Sequence, residues 1–394
     1  MRWFQESGLS KLTASVEAAG GELRLVGGCV RDHVMGRHAK EVDAATTLTP
    51  DVMSNVAQAA GFKVIPTGID HGTVTIVLPE RTLEVTTLRK DTVCDGRHAE
   101  VVYTDDWEED AARRDFTINA LYMDKHGTLY DYHDGQKHIA LHRVQFIGDA
   151  QQRIEEDGLR ILRFYRFLAT HGQAPVDVAA QEACIAKRAM ITALSGERIA
   201  QEMRKLLAAP NPLYSLEQMH VAEIDTLVIH APFQLASLPL LMACEQREKL
   251  APDWAVRLLA IIDVSRAQQV AEYVSARWKL SNKDAETLRL LAASVLLSDE
   301  DAPLAHKKYL RAHGRAAYIR LLMLSAANGL LSRIGDWLQL ANTWVAPEFP
   351  VSSKALMELG YQGKALGDAL KALEAEWEES EYRPDAAALL KTLA

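Results

Sequence analysis

A chain of 394 residues, 48% hydrophobic and 25% charged, has the length for two or more cored domains and the composition of a globular protein. It carries 44 basic against 53 acidic residues, a net charge of −9, which taken alone argues mildly against a nucleic-acid partner, although local patches matter more than the total. It contains no apolar run of about eighteen residues, so no membrane span is expected.

In chain order, the opening MRWFQESGLSKLT lacks the apolar core of a secretory signal, and a cytosolic chain is the expectation. Cys29, Cys94, Cys184 and Cys244 are widely spaced without a CxxC pair, which speaks against a disulfide framework or a zinc site. A helix is expected near 8–19 and a strand at 23–26. That strand runs into Gly27-Gly28, where a tight turn would let backbone amides approach a phosphate. Arg31 and Asp32 follow. About ten residues later come Glu41 and Asp43, flanked by the apolar or small Val42, Ala44 and Ala45. In an extended strand these two carboxylates share a face. An ExD triplet is common on solvated strands, but two carboxylates in a partly buried one repel each other and need a cation. Such a pair suits metal-assisted phosphoryl transfer with Mg²⁺ held against a triphosphate. Gly27-Gly28 is not a Walker-type loop, because GxxxxGK[ST] is absent.

Further strands are expected at 42–45, 62–65, 73–78, 82–88, 100–103 and 120–123, rich in Val, Thr and Ile. The turn signals between them are Gly61, Pro66-Thr67-Gly68, His71-Gly72, Pro79 and Asp95-Gly96. Helices are expected at about 50–60 and 106–113. Glu84, in the run TLEVTTLR, reads first as a solvent-facing strand residue and second as a third carboxylate towards the metal. The string RRDFTINA, residues 113–120, reads either as a charged helix end running into a core strand or as an arginine on phosphates with Asp115 and Asn119 on sugar hydroxyls.

From about 150 the spacing turns helical and stays so, giving a head that mixes strands and helices and an all-α remainder. Along 151–170, Ile154, Leu159, Ile161, Leu162, Phe164, Tyr165, Phe167 and Leu168 would pin a helix into a core. Asp157 and Arg160, three apart, are expected on one face of it. They read either as a surface ion pair or as an acceptor and a donor that face a base edge, with Arg163 and Arg166 continuing the series. In 306–320, Lys307, Lys308, Arg311, Arg315 and Arg320 occur without an acid. Lys308, Arg311 and Arg315 would share one helix face, a candidate contact for an RNA backbone or simply a solvated basic face.

Together VGGCVRD, ExDAAT, EDAARRDFTINAL, RIEEDGLRILRFYRF and LSGERIAQE resemble the class II tRNA nucleotidyltransferases, the CCA-adding enzymes, whose head is shared with bacterial poly(A) polymerases. The stretch IPTGIDHGTVTIV with EVTTLRKDTVCDGRHAEVVYTDDW looks most like alphaproteobacterial CCA-adding enzymes, and LMELGYQGKALGDALKALEAEW is similar to their tail. The resemblance implies an α+β fold: a polymerase-β-like nucleotidyltransferase head over 1–145, a helical neck with the nucleotide-selecting helix over 146–210, and an all-α body and tail over 211–394 that binds tRNA. It implies that Glu41 and Asp43 bind Mg²⁺ and that Gly28, Arg31 and Arg114 contact nucleotide phosphates. Asp115 and Asn119 would contact sugar or support the site. Asp157 and Arg160, with Arg163 and Arg166 nearby, would choose CTP or ATP without a nucleic-acid template. The tRNA 3′-hydroxyl would attack the α-phosphate of CTP twice and then of ATP. The family's flexible loop, needed for the switch to ATP, would fall within 89–104.

Three departures from the family pattern stand out. Glu41 stands where the family has Asp, and its carboxylate reaches about 1.5 Å further. The segment Tyr130–Ile139 lacks the usual second Gly and the later Asp. Gly158 replaces a residue that is commonly Pro, Tyr or Ala, which loosens the start of the selecting helix. The rival readings are a bacterial poly(A) polymerase, an enzyme that adds only CC or only A, and a tRNA-binding homologue whose catalysis has decayed. The chain ends WEESEYRPDAAALLKTLA without the basic extension of many poly(A) polymerases, and no His-Asp dipeptide follows residue 200, so no phosphohydrolase module is expected.

Overall fold

The computed structural model describes residues 3–39, 41–66, 68–69, 72–91 and 101–393. They fall into two units: Met1–Leu194 with Val221–Leu227, and Ser195–His220 with Val228–Ala394.

The first unit opens with α1 (Ser7–Ala18), β1 (Leu23–Val26), α2 (Gly28–Val34), β2 (Asp43–Thr46), α3 (Pro50–Ala59) and the strands β3 (Lys63–Ile65), β4 (Thr73–Val77) and β5 (Thr82–Thr87). A hairpin follows, β6 (Arg89–Asp91) with β7 (Val101–Tyr103), then α4 (Trp107–Ala112), β8 (Leu121–Met123), β9 (Leu129–Asp131) and α5 (Gly135–Ala140). Helices α6 (Ala150–Glu156), α7 (Leu159–His171) and α8 (Val178–Lys187) close the run.

One seven-stranded sheet has the order β3-β4-β5-β2-β1-β8-β9, and β6 pairs with β7 apart from it. The parallel pair is β2 with β5, in the register that sets Asp43 beside Glu84. On the other side of β2, Val26 at the end of β1 stands opposite Asp43. Strand β1, LRLV, is buried along its whole length, as its position inside the sheet requires. Val26, Ala45, Leu88, Trp107, Ala111, Ala120, Tyr122 and Ile147 form an apolar cluster that seats α4 on the sheet. Arg24 braces the start of α4, its guanidinium 4.0 Å from the Trp107 ring and 3.7 Å from that of Tyr130.

The expected strands are present to within a residue or two, and four elements went unforeseen: α2, β6, β9 and α5. Helix α2 follows β1 without any polar spacer, because Gly27 takes a left-handed φ of 75° and turns the chain in one step. Strand β9 and helix α5 are too short to show a period. The run 151–170 is two helices rather than one. Asp157 is extended (φ −154°, ψ 105°), ends α6, and accepts a hydrogen bond from the Leu159 amide at 3.0 Å, so it opens α7 as a capping side chain. The expected shared helix face of Asp157 and Arg160 is therefore corrected: Asp157 lies in the joint and only Arg160 is helical. Of the expected loop at 89–104, residues 92–100 lie outside the described residues, as do Cys94, Asp95-Gly96, Thr67 and His71. Cys29, Cys184 and Cys244 are free and buried.

The second unit is helical among its described residues. It holds α9 (Gly196–Leu207), most of α10 (Leu213–Val221), the end of α11 (Ile224–Ile229), then α12 (Leu238–Arg247), α13 (Trp254–Ala260), α14 (Ala267–Arg277) and α15 (Asn282–Ala293). Helices α16 (Pro303–Ala327), α17 (Ile334–Thr343), α18 (Ser353–Glu358), α19 (Gly363–Glu379) and α20 (Ala386–Lys391) complete it. Arg257 is buried on Glu245, with its remaining donors on the carbonyls of Leu207 and Ala209. The last helices share a small core of their own, built on Leu356, Leu373, Trp377 and Leu389. No described helix is long and apolar enough to cross a membrane.

Candidate active site

One cavity of about 620 Å³ in the first unit gathers residues from both ends of the sequence argument: Gly27, Gly28, Arg31, Glu41 and Asp43 from its first motif, and Arg114, Asp115, Asn119, Asp157, Arg160, Arg163 and Arg166 from the other two. It is also lined by Thr73, Glu84, Thr86, Arg89, Arg113 and Phe167.

The acidic end is set by the sheet. Asp43 is half-buried at the first position of β2, whereas Glu41 lies in a bend before the strand and is exposed. The strand alternation that was to align the two does not reach Glu41. Its side chain meets the same cavity from the bend, which suits the longer residue. The surprise is Glu84. Its register beside Asp43 turns the second reading of that residue into geometry: it is exposed, but exposed into the cavity. Burial, then the negative charges of Glu84 and Glu41, push the Asp43 carboxyl up to about 6 against the pull of Arg114. A carboxylate crowded by other negative charges in this way is relieved by a cation. Among the described residues no group of three or more His, Cys, Asp or Glu stands close enough to cage a metal alone. An all-oxygen set of one or two carboxylates that leaves other positions to water and substrate phosphates fits a hard divalent cation.

The basic end is a set of arginines, of which Arg113, Arg114 and Arg163 stand on carboxylates more deeply buried than themselves. Arg31 donates through NH1 to Asn119 Oδ1 at 2.7 Å and through Nε and NH2 to Asp32 Oδ1 at 2.9 and 2.7 Å. Asn119 passes the connection on, its amide 3.1 Å from Asp115 Oδ1, and Arg163 Nε closes the chain 2.7 Å from Asp115 Oδ2. Burial alone would raise the Asp115 carboxyl. The Arg163 guanidinium, then the Asn119 and Phe116 donors, hold it below the usual carboxylate range. The arginines and the Asp of RRDFTINA are thus not a surface pair: Asp115 is buried on Arg163, and Arg113 and Arg114 pair with Asp110. Phe116 explains why: fully buried, it packs on Phe146 at 4.7 Å and Phe167 at 5.3 Å, locking the string onto α7. Arg166 lies over Phe167, its guanidinium 3.9 Å from the ring centre.

Arg114 donates through Nε to the Tyr122 hydroxyl at 3.0 Å and through NH2 to Asp110 at 3.1 Å. Asp110 and Arg113 were given no role by sequence reasoning, although the signal was present: Asp110 precedes the two arginines by three and four residues, the helical spacing for ion pairs. Arg160 is anchored on Glu156 and on the carbonyls of Arg153 (2.9 Å) and Arg113 (3.2 Å) rather than on Asp157.

The basic stretch of the second unit behaves differently. The helix α16 is interrupted at Gly314 (φ 78°, ψ 170°), so Arg315 does not continue the face of Lys308 and Arg311. Lys308 pairs with Glu379, Arg311 with Glu374 at 2.6 Å and Glu378 at 2.7 Å, and Arg315 bonds Asn342. The expected single basic face is corrected to two separate segments whose cations already have partners.

Residues 23–145 match a family model described as the Poly A polymerase head domain. The mitochondrial CCA tRNA nucleotidyltransferase 1 of Danio rerio is 34% identical over 393 residues, covering 95% of this chain and 87% of the relative. The chain belongs to the CCA tRNA nucleotidyltransferase family. The CCA-adding enzyme of Staphylococcus haemolyticus is 39% identical to it over 198 residues, half of this chain and 48% of the other. Among solved structures, the Bacillus stearothermophilus CCA-adding enzyme in complex with CTP superposes with a TM-score of 0.75 at 26% identity, covering 97% of this chain and 94% of that one. For a family member, the cavity joins an acidic end able to hold a cation to a basic end able to hold phosphates.

Proposed function

We propose that this chain adds CCA to the 3′ end of tRNA from CTP and ATP without a nucleic-acid template. The observation that carries the reading is the cavity in which Asp43, Glu41 and Glu84 face the arginines of α2, of the turn after α4 and of α7. Arg31, Arg114 and the amides at Gly28 would bind the triphosphate, and Asp115 with Asn119 would hold Arg31 and Arg163 in place while reaching the sugar. Asp157 and Arg160 would meet the base edge, with Arg163 and Arg166 beside them. Arg160 suits this because its anchors on α6 and on the Arg113 carbonyl fix its direction. Glu41 and Asp43 would hold Mg²⁺. When bound, that ion lowers the pKa of the attacking 3′-hydroxyl and offsets charge on the departing pyrophosphate. The arginines meanwhile fix the α-phosphate for in-line attack and neutralise the charge that moves onto the leaving group.

In this reading 1–145 performs the chemistry, 146–210 selects the nucleotide and 211–394 holds tRNA. The tRNA backbone is the partner we assign to Lys308, Arg311 and Arg315, in competition with the carboxylates of α19 and with Asn342. Reversal of these three charges without a change in tRNA affinity or its salt dependence would remove that assignment. The strand string HGTVTIV supports kinship with alphaproteobacterial members. The three buried free cysteines suit a reducing compartment, and we place the chain in the cytosol.

The test is purified chain with Mg²⁺, labelled CTP or ATP and tRNA lacking its 3′ CCA. Addition of C, C and A in order is expected. A long A tract would make it a poly(A) polymerase, and addition of only CC or only A a partial enzyme. Binding of tRNA without incorporation would make it a decayed homologue.

A further inference from the structure

Asp110 is a heavily engaged carboxylate behind the cavity, and it is not among the residues that line it. Its side chain is 1% exposed. Oδ1 accepts from Arg113 Nε at 2.9 Å, from Arg113 NH2 at 2.6 Å and from the Arg89 amide at 3.3 Å. Oδ2 accepts from Arg114 NH2 at 3.1 Å and from the Tyr122 hydroxyl at 2.7 Å. That hydroxyl in turn accepts from Arg114 Nε at 3.0 Å. Five donors converge on one group, and both guanidinium groups line the cavity.

We propose that Asp110 is a positioning residue for the nucleotide triphosphate: it holds Arg113 and Arg114 side by side and aims both into the cavity. The inference rests on the function proposed above. Two guanidinium cations repel each other, and neighbouring places on one cavity wall are stable only with an anion between them. Each arginine commits its Nε and NH2 edge to the Asp110 cluster. The remaining terminal nitrogen, NH1, is left to point elsewhere. For Arg114 the direction is visible: NH1 comes within 3.8 Å of where a Cβ on Gly27 would stand, at the mouth of the glycine turn. A preset direction of this kind favours an anion of fixed shape, since the ordering of long side chains is already complete before the ligand arrives. The chemistry recognised is a chain of phosphates rather than a base or a sugar.

The Arg89 backbone belongs to the same cluster. Its amide donates to Asp110, and its carbonyl accepts from Arg113 Nε at 3.0 Å. Asp110 therefore fixes the foot of β6 together with the two arginines.

The experiment measures binding of CTP, CMP and inorganic tripolyphosphate to the full chain without tRNA, for the unaltered protein and for Asp110→Asn, Asp110→Glu and Tyr122→Phe. Asp110→Asn should weaken CTP and tripolyphosphate by at least about tenfold, the effect of one lost charge-assisted hydrogen bond, and CMP by less than about twofold. Tyr122→Phe keeps both arginine pairs and should leave CTP within about threefold. Should Asp110→Asn fail to fold, Asp110→Glu keeps the charge but moves it, and the same contrast between CTP and CMP is expected at a smaller size. Equal weakening of CTP and CMP would make Asp110 merely structural, and tighter CTP binding would show that it acts only as a counter-charge; either overturns the proposal. Tripolyphosphate separates this outcome from failure of the functional reading. If the unaltered chain adds no nucleotide to tRNA, the reading falls, while the tripolyphosphate contrast still decides the role of Asp110.

Discussion

Two arginine-rich stretches of this chain look alike as strings and differ as structures. In the first, Arg113 and Arg114 sit on Asp110, and Arg163 on Asp115, with the acids at 1% and 9% exposure and the arginines at 14%, 18% and 32%. In the second, Arg311 at 18% exposure is met by Glu374 at 41%, and Lys308 at 30% by Glu379 at 71%. The order of depth is inverted. A deeper anion holds its cation from below and leaves the other edge for a ligand. A shallower anion covers its cation from outside and must leave before a ligand can bind. Availability of a positive charge therefore follows from which partner is buried, not from how many arginines a segment contains.

The comparison can be broken most sharply at Arg114. Its replacement by Ala should lower kcat/KM for CTP by about 100-fold in single-nucleotide addition, the usual loss for one preorganised donor at a phosphoryl-transfer site. A loss below about fivefold would mean that the deep-anion arrangement is only scaffolding. Next in size is Arg163→Ala, which leaves Asp115 charged and buried with only the neutral donors of Asn119 and the Phe116 amide among its named partners. It should cost roughly 2 kcal/mol in denaturant unfolding, and pairing it with Asp115→Asn should recover much of that.

Acid should also separate the two regions. Burial opposes ionisation of Asp110, but Arg114, then Arg113 and Tyr122, bring its folded pKa down to about 2 from the ordinary 3.8 of an aspartate. Between those values the unfolded chain binds the extra proton. The stabilisation by Asp110 is thus complete above about pH 4 and lost as pH falls towards about 2. In thermal melts over that range, Asp110→Asn should show a shallower decline than the unaltered chain; parallel slopes would contradict the deep pairing. Arg311→Ala is expected to cost only about 1 kcal/mol or less, shrinking as salt is added, because its carboxylate partners are partly solvated. A larger, salt-independent loss would show that α19 is held by packing of Trp377 rather than by charge. The smallest effect is expected for Glu41→Asp, with nucleotide addition retained or raised. Complete loss would mean that the bend before β2 is built around the longer side chain.

Much of the molecule could be read from local chemistry. The glycine turn after an apolar strand, Asp43 on its strand and the helical character of the remainder each depend on neighbours within a few residues, and each is where it was expected. Three features escape that reading, two of them because their partners lie far away in the chain. Glu84 gains its place from a parallel register with Asp43, set by pairing across some forty residues. Asp157 leaves the helix because its carboxylate caps α7, a competition between local hydrogen bonds that apolar spacing does not reveal. Lys308 and Arg311 form a basic segment in sequence, yet the acids that neutralise them lie on α19. Sequence alone determined which charges exist and which short turns hold them, because those follow from spacing along one chain. Tertiary structure decided which charges are buried, which are paired and which face the cavity, because each depends on long-range contacts that no local pattern encodes.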